Sequence, residues 1–195
     1  MDKNKKLIAV TGGIGSGKSS ALKIIKDAGY YTLSSDLIVS ELYEKRRVKK
    51  LLKTLFPDAV TGLIKLKIDR KKISQKVFFD KVLHKKLTAL ITPLVLEEIL
   101  RKTAKKTGLL FVEVPLLFEC GYEKNFDKVL IISRALSARI ESVQKRSNLT
   151  EQEILARIKN QFDYDNADLS PYTVIQNDGS INDLQDKILS FIKEL

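Results

Sequence analysis

The chain has 195 residues, 44% hydrophobic and 30% charged, which suits one domain with a substantial core and room for inserted lobes and excludes disorder or a collagen-like architecture. Its 35 bases against 24 acids leave a formal charge of +11, favouring a polyanionic partner: nucleic acid, an anionic membrane surface or a phosphate-rich small molecule. The single cysteine, Cys120, excludes an intramolecular disulfide and a Cys/His zinc framework, and points to an intracellular protein.

Residues 1–6 are charged, and the apolar run that follows is too short for a signal peptide. No run approaches the roughly 20 apolar residues of a membrane helix, so a soluble chain is expected. Residues 7–11 (LIAVT) read as a strand buried on both faces, ending in a glycine cluster. From Ser19 the apolar spacing becomes helical through Ala21, Ile24, Ile25 and Ala28, with Gly29 as the C-cap. Residues 30–33 form a second short strand, closed by Ser34, Ser35 and Asp36. Residues 37–106 lack strand signals and read as a helical insertion dense in lysine and arginine. Within it Pro57 and Gly62 mark a turn, and Thr92-Pro93 reads as the end of one helix and the start of the next. The buried-strand pattern returns at 109–114 and 129–132, and a last strand lies at 173–175. Thr150 to Glu153 fits a capping box opening a helix to about Gln161, and Ile181, Leu184, Ile188, Phe191 and Ile192 stripe a terminal helix. Strands alternating with helices predict an α/β fold with a five-stranded, mainly parallel sheet flanked by helices.

Residues 12–19 (GGIGSGKS) carry the P-loop pattern, placed between a strand and a helix as its mechanism demands. The glycines Gly12, Gly13, Gly15 and Gly17 let the backbone curl, with Ile14 and Ser16, so that N–H groups face phosphate oxygens. Lys18 supplies a mobile cation to the β- and γ-phosphates, and Ser19 a hydroxyl ligand for Mg²⁺. The DxxG and N/T-K-x-D strings of a regulatory GTPase are absent from the sequence. Two other classes stay open on residue chemistry alone: a kinase for another nucleoside or nucleotide, and a nucleic-acid-binding NTPase. The basic insertion is the only support for the second, because it has no interleaved aromatics and no recognition-helix motif.

Thr11 to Ser19, Asp36, Arg70 ahead of Val77-Phe78, the Pro115-Leu116-Leu117-Phe118-Glu119 segment, Gln161 and Asn177-x-Gly179 together resemble the dephospho-CoA kinase family across nearly the whole chain. The resemblance implies a P-loop NTPase fold in a single kinase domain, with core segments 1–36, 107–135 and 171–195, a helical acceptor lobe at 37–106 and a lid at 136–170. It also implies ATP and dephospho-CoA as substrates, Mg²⁺ as cofactor, a cytoplasmic location, and neither nucleic-acid nor membrane partners.

Residue by residue, the resemblance makes the loop from Gly12 to Ser20 the ATP phosphate site and Asp36 the group that aligns the acceptor hydroxyl and takes its proton. A loose phosphoryl-transfer transition state asks for no strong base. Asp36 is equally a good N-cap at a strand-to-helix junction. Arg146 matches a lid arginine serving the phosphates, and Asn177 and Gly179 belong to a loop around the adenine. Arg70, Pro115, Leu116 and Glu119 fall on the acceptor side. Leu116, Leu117 and Phe118 also read as core residues, and Glu113 as a strand-interior acid rather than a metal-site residue. The chain departs from the family at Ser34, Ser40, Thr92, Arg139 and Ser142, where aspartate, a basic residue, histidine, glutamine and arginine are usual. His84 and Cys120 read as bland residues.

Overall fold

A computed structural model of the protein describes residues 5–63, 65–147 and 149–195. Five strands build one sheet: β1 (Lys5–Thr11), β2 (Tyr31–Ser34), β5 (Gly108–Glu113), β6 (Lys128–Ser133) and β7 (Thr173–Gln176). Their order is β2-β5-β1-β6-β7 and every pairing is parallel. β1 is central because its residues Leu7 to Thr11 are buried, as a strand paired on both edges and covered on both faces requires. On one face Ile8, Val10, Phe111, Leu130, Ile132 and Ile175 meet Ala21 and Ile25 of helix α1 (Lys18–Asp27) and Leu184, Ile188, Phe191 and Ile192 of α8 (Ile181–Lys193). The residues of opposite parity, among them Leu7, Ala9, Leu110, Val112, Val129 and Ile131, are buried too. Removing a side chain of Phe191's size from such a core costs about 3–5 kcal/mol.

The chain divides into two units, residues 1–34 with 105–195 and residues 35–104. The first contains the sheet, α1, α6 (Leu136–Arg146), α7 (Glu151–Lys159) and α8. Thr150 and Glu153 make the expected capping box: Thr150 N–H donates to the Glu153 carboxylate at 2.8 Å, and Glu153 N–H to Thr150 Oγ1 at 3.3 Å. α7 ends at Lys159, before Gln161. α8 has its own capping box, Ser180 with Asp183, not expected from the sequence because aspartate stands where glutamate or glutamine is usual. Glu113 is the last residue of β5 and not a strand-interior acid.

The second unit contains α2 (Ser35–Glu44), α3 (Arg46–Leu55), α4 (Arg70–Phe79) and α5 (Lys81–Thr103). Two expectations for it need correction. A small antiparallel hairpin, β3 (Val60–Thr61) with β4 (Lys67–Ile68), lies where no strand was expected; two-residue strands are too short to show a period. Thr92-Pro93 does not separate two helices, since α5 runs through Pro93 unbroken. Ile91, Val95 and Ile99 form one buried stripe across the proline, and that packing outweighs the lost backbone bond. Ala89, whose carbonyl loses its donor, is exposed like Pro93, so water can serve it.

Candidate active site

The P-loop leaves the carboxyl end of β1, flanked by β5 on one side and β6 on the other. The chain winds outward from β1 in opposite directions there, and open α/β sheets bind their ligands at such a switch point. Gly12 has φ 143°, and a Cβ on it would lie 2.2 Å from the Ile132 carbonyl oxygen, so the loop's turn against β6 admits only glycine. Gly17 is the N-cap of α1, with φ 101° and no side-chain cap, and the first turn of α1 contains no acid. The positive dipole end of α1, with no side chain capping it, therefore favours an anion. Lys18 Nζ donates to the carbonyls of Gly12 (2.8 Å) and Gly13 (2.9 Å), which folds the ammonium back over the loop. Ser16 Oγ is buried with no hydrogen-bond partner among the described residues, a donor that phosphate oxygen can satisfy.

Ser19 and Ser20, the second and third residues of α1, are exposed. Among the described residues no three His, Cys, Asp or Glu side chains are grouped to hold a metal. This donor set fits Mg²⁺ bound through phosphate oxygens, water and the Ser19 hydroxyl, the mode Mg²⁺ favours with nucleotides.

The loop is fastened from outside. Ile14 N–H donates to Gln161 Oε1 at 2.8 Å, and Arg139 Nε donates to the Ile14 carbonyl at 3.2 Å. Asn177 Nδ2 donates to the Ser16 carbonyl at 2.8 Å. Asn177 thus grips the P-loop with its side chain, while its backbone N–H donates to the Ser133 carbonyl at 2.8 Å. Its neighbour Asp178 accepts from Ala135 N–H at 2.8 Å, and Gly179 lies against Asp183 of the α8 cap. The hydroxyls of Tyr164 and Thr11 share a buried hydrogen bond of 2.9 Å. Burial pushes the Tyr164 phenol up to about 12, so it stays neutral and able to donate.

Arg146, the last residue of α6, is exposed, and Arg139 on the same helix is only 3% exposed. In the segment after β5, Leu117 is fully buried, but Leu116 is 40% exposed and so is not the core residue expected. Phe118 is half-buried against Phe162, Tyr172 and Tyr164, with ring centroids 4.4, 5.1 and 5.9 Å away. Pro115 is half-buried, and Glu119 accepts from Phe162 N–H at 2.8 Å. Glu119 therefore ties this segment to the chain following α7.

In the second unit, Asp36 lies exposed in the first turn of α2, whose assigned span begins at Ser35, so it is a first-turn acid rather than the N-cap. Arg70 opens α4. It donates to Ser40 Oγ (3.2 Å), the Ser40 carbonyl (3.1 Å) and Glu44 (3.1 Å), and its guanidinium lies 5.3 Å from the Tyr43 ring centre. Ser40, one of the departures from the family pattern, is thus Arg70's partner. His84 is exposed on α5 and Cys120 half-buried. The anchoring roles of Arg139, Gln161 and Tyr164 arise across long sequence separations and carry no local sequence signal, the family match of Gln161 apart.

A phosphate cradle at the switch point of a parallel sheet, ordered as found here, defines a P-loop kinase of the nucleotide-kinase type. The chain belongs to the dephospho-CoA kinase family, whose model matches residues 6–183. A dephospho-CoA kinase of Thermus thermophilus is 34% identical over 193 residues, covering 97% of this chain and 91% of the relative. A crystal structure of a Thermus thermophilus protein superposes with a TM-score of 0.85 at 32% identity, covering 99% of both chains. A dephospho-CoA kinase from Campylobacter jejuni superposes with a TM-score of 0.70 at 26% identity, covering 97% of this chain and 96% of its own. The chain is accordingly an ATP-dependent phosphotransferase of coenzyme A biosynthesis.

Proposed function

We propose that the chain transfers the γ-phosphoryl group of ATP to the ribose 3′-hydroxyl of dephospho-CoA, giving coenzyme A and ADP. The observation that carries this reading is the P-loop with the Lys18 ammonium folded over the Gly12 and Gly13 carbonyls, in a chain of that family. The reaction breaks the bond between the γ-phosphorus and its bridging oxygen and forms one from phosphorus to the acceptor oxygen, while the hydroxyl proton leaves to a base. Catalysis here is mostly positioning and charge neutralisation. Backbone N–H groups within residues 12–20 hold the phosphates, except that of Ile14, which Gln161 engages, and Lys18 follows the charge that moves onto the β–γ bridge. The Ser19 hydroxyl would help hold Mg²⁺, which when bound with the nucleotide would further neutralise that charge.

Asp36 aligns the acceptor hydroxyl and takes its proton late in the transfer. Arg146 stands on the lid, residues 136–170, which closes over the nucleotide and excludes water. Residues 37–106 form the acceptor lobe within a single kinase domain. Arg70 meets the acceptor's pyrophosphate by exchanging Glu44 for a stronger anion, and Pro115, Leu116 and Glu119 border the acceptor nucleoside. Asn177 and Gly179 bring their loop to the adenine. The enzyme works in the cytoplasm, where the family resemblance puts it; among the described residues no helix is long and apolar enough to cross a membrane.

The test is product identification by mass spectrometry after incubation with Mg-ATP and a panel of acceptors. Dephospho-CoA should gain one phosphoryl group at the 3′ position. Turnover of a nucleoside monophosphate with dephospho-CoA inert would overturn the acceptor assignment, and ATP hydrolysis stimulated by polynucleotide in a salt-sensitive way would favour a nucleic-acid-dependent NTPase.

A further inference from the structure

The peptide groups on either side of Ile14 are both held by side chains from outside the P-loop. Ile14 N–H is taken by Gln161, two residues past the end of α7, and the Ile14 carbonyl by Arg139 of α6. The two roots of the α6–α7 hairpin therefore converge on a single loop residue. Arg139 approaches closely enough that a Cβ on Gly13 would lie 2.6 Å from its Nη2, and one on Gly15 would lie 2.4 Å from its backbone carbonyl. Its Nη1 lies 3.3 and 3.4 Å from the two oxygens of Asp165, longer than the usual 2.7–2.9 Å of a charge-assisted bond. Asp165 is itself half-exposed, so it compensates the buried guanidinium only in part. A buried cation with a loosely held partner behind a phosphate loop is costly for stability alone, and useful where a polyanion arrives.

We infer that Arg139 and Gln161 are positioning residues for the transfer reaction. By fixing the planes of the Gly13–Ile14 and Ile14–Gly15 peptides, they hold the following loop N–H groups converged on the phosphates before ATP arrives. Ordering that ATP would otherwise have to impose is already done. They also make loop geometry depend on the hairpin, so a movement of α6 or α7 reaches the phosphate site through two hydrogen bonds. The planar arginine fork bonds Ile14 and faces Asp165 at once, a geometry lysine cannot reproduce. The inference rests on the reading of the P-loop as the ATP site.

The test measures ATP binding by calorimetry, KM for ATP and for dephospho-CoA, kcat and Tm in Arg139→Ala, Arg139→Lys, Gln161→Met and the double variant Arg139→Ala with Gln161→Met. Arg139→Ala should weaken ATP binding on the order of tenfold, and Gln161→Met about fivefold. KM for dephospho-CoA should stay within about twofold of wild type. Arg139→Lys should recover only part of the loss, and the double variant should lose less than the product of the singles, because both side chains act on one residue. Folded variants that bind ATP within twofold of wild type while only Tm falls would overturn the inference. If Arg139→Ala does not fold, Arg139→Lys and Gln161→Met decide by the same criterion. A wild type that binds ATP without phosphorylating dephospho-CoA would overturn the acceptor assignment, and the ATP-binding comparison would still judge these two residues. A wild type that binds no ATP would overturn both.

Discussion

The P-loop and the helical unit 35–104 use their polar side chains in contrasting ways. Around the loop, Arg139, Gln161 and Asn177 bond backbone groups at sequence separations of 125 to 161 residues, and the arginine is buried. In the helical unit the polar contacts are mostly ion pairs near the surface, among them Arg70 with Glu44 and both Lys72 and Lys76 with Asp58. Exposed pairs of this kind contribute little to stability and exchange partners readily. One region is tied down by long-range bonds to its backbone; the other carries cations that can change partners. Among the ion pairs described in the helical unit, those of Glu98 differ. This residue is buried between Arg101 and Lys45, and their hydrogen bonds, Arg101's first, hold its carboxyl down to about 2.

The contrast can be broken residue by residue. Lys18→Ala should fold, yet lower kcat on the order of 10³-fold by removing the one mobile cation from the phosphate loop, which steady-state transfer with Mg-ATP would measure. Asp36→Asn should lower kcat about 10²-fold while calorimetric ATP binding stays at the wild-type value; full turnover in this variant would remove Asp36 from the mechanism. Glu98→Gln should leave KM for ATP unchanged and destabilise the fold by about 1–3 kcal/mol in urea titrations at pH 7. Because the folded carboxyl titrates below its ordinary 4.5, its contribution is present above that pH and is lost as pH falls toward 2. The gap between wild type and Glu98→Gln should therefore narrow over that interval. Arg70→Ala should raise KM for dephospho-CoA about fivefold with kcat little changed, the loss of one exchangeable cation.

How legible each region was in the sequence follows the same division. The sheet strands could be read because each is a short apolar run bounded by turn residues, and the P-loop because its glycines, lysine and serine act within one turn of chain. The anchors of that loop could not be read. Arg139 meets Ile14 only through the tertiary fold, and no local pattern marks an arginine as buried. Asn177 could be placed in a loop by the family resemblance, but nothing local indicates that its amide reaches Ser16. Pro93 shows the reverse error, a strong local signal for a helix break overruled by the apolar stripe on both sides of it. Asp36 was legible as a polar residue at the end of β2, and its exact place in the first turn of α2 was settled by where the helix begins.

The strand order also shapes how the chain can be made. β5 lies between β1 and β2, yet it follows residues 35–104 in the sequence. During N-to-C synthesis β1 and β2 leave the ribosome with no neighbour to bond to, and β1 lacks both partners until residues 108–133 have emerged. Nascent chains stalled before that point should expose two open strand edges and depend on chaperones, whereas those stalled beyond Ser133 should resist protease across β1.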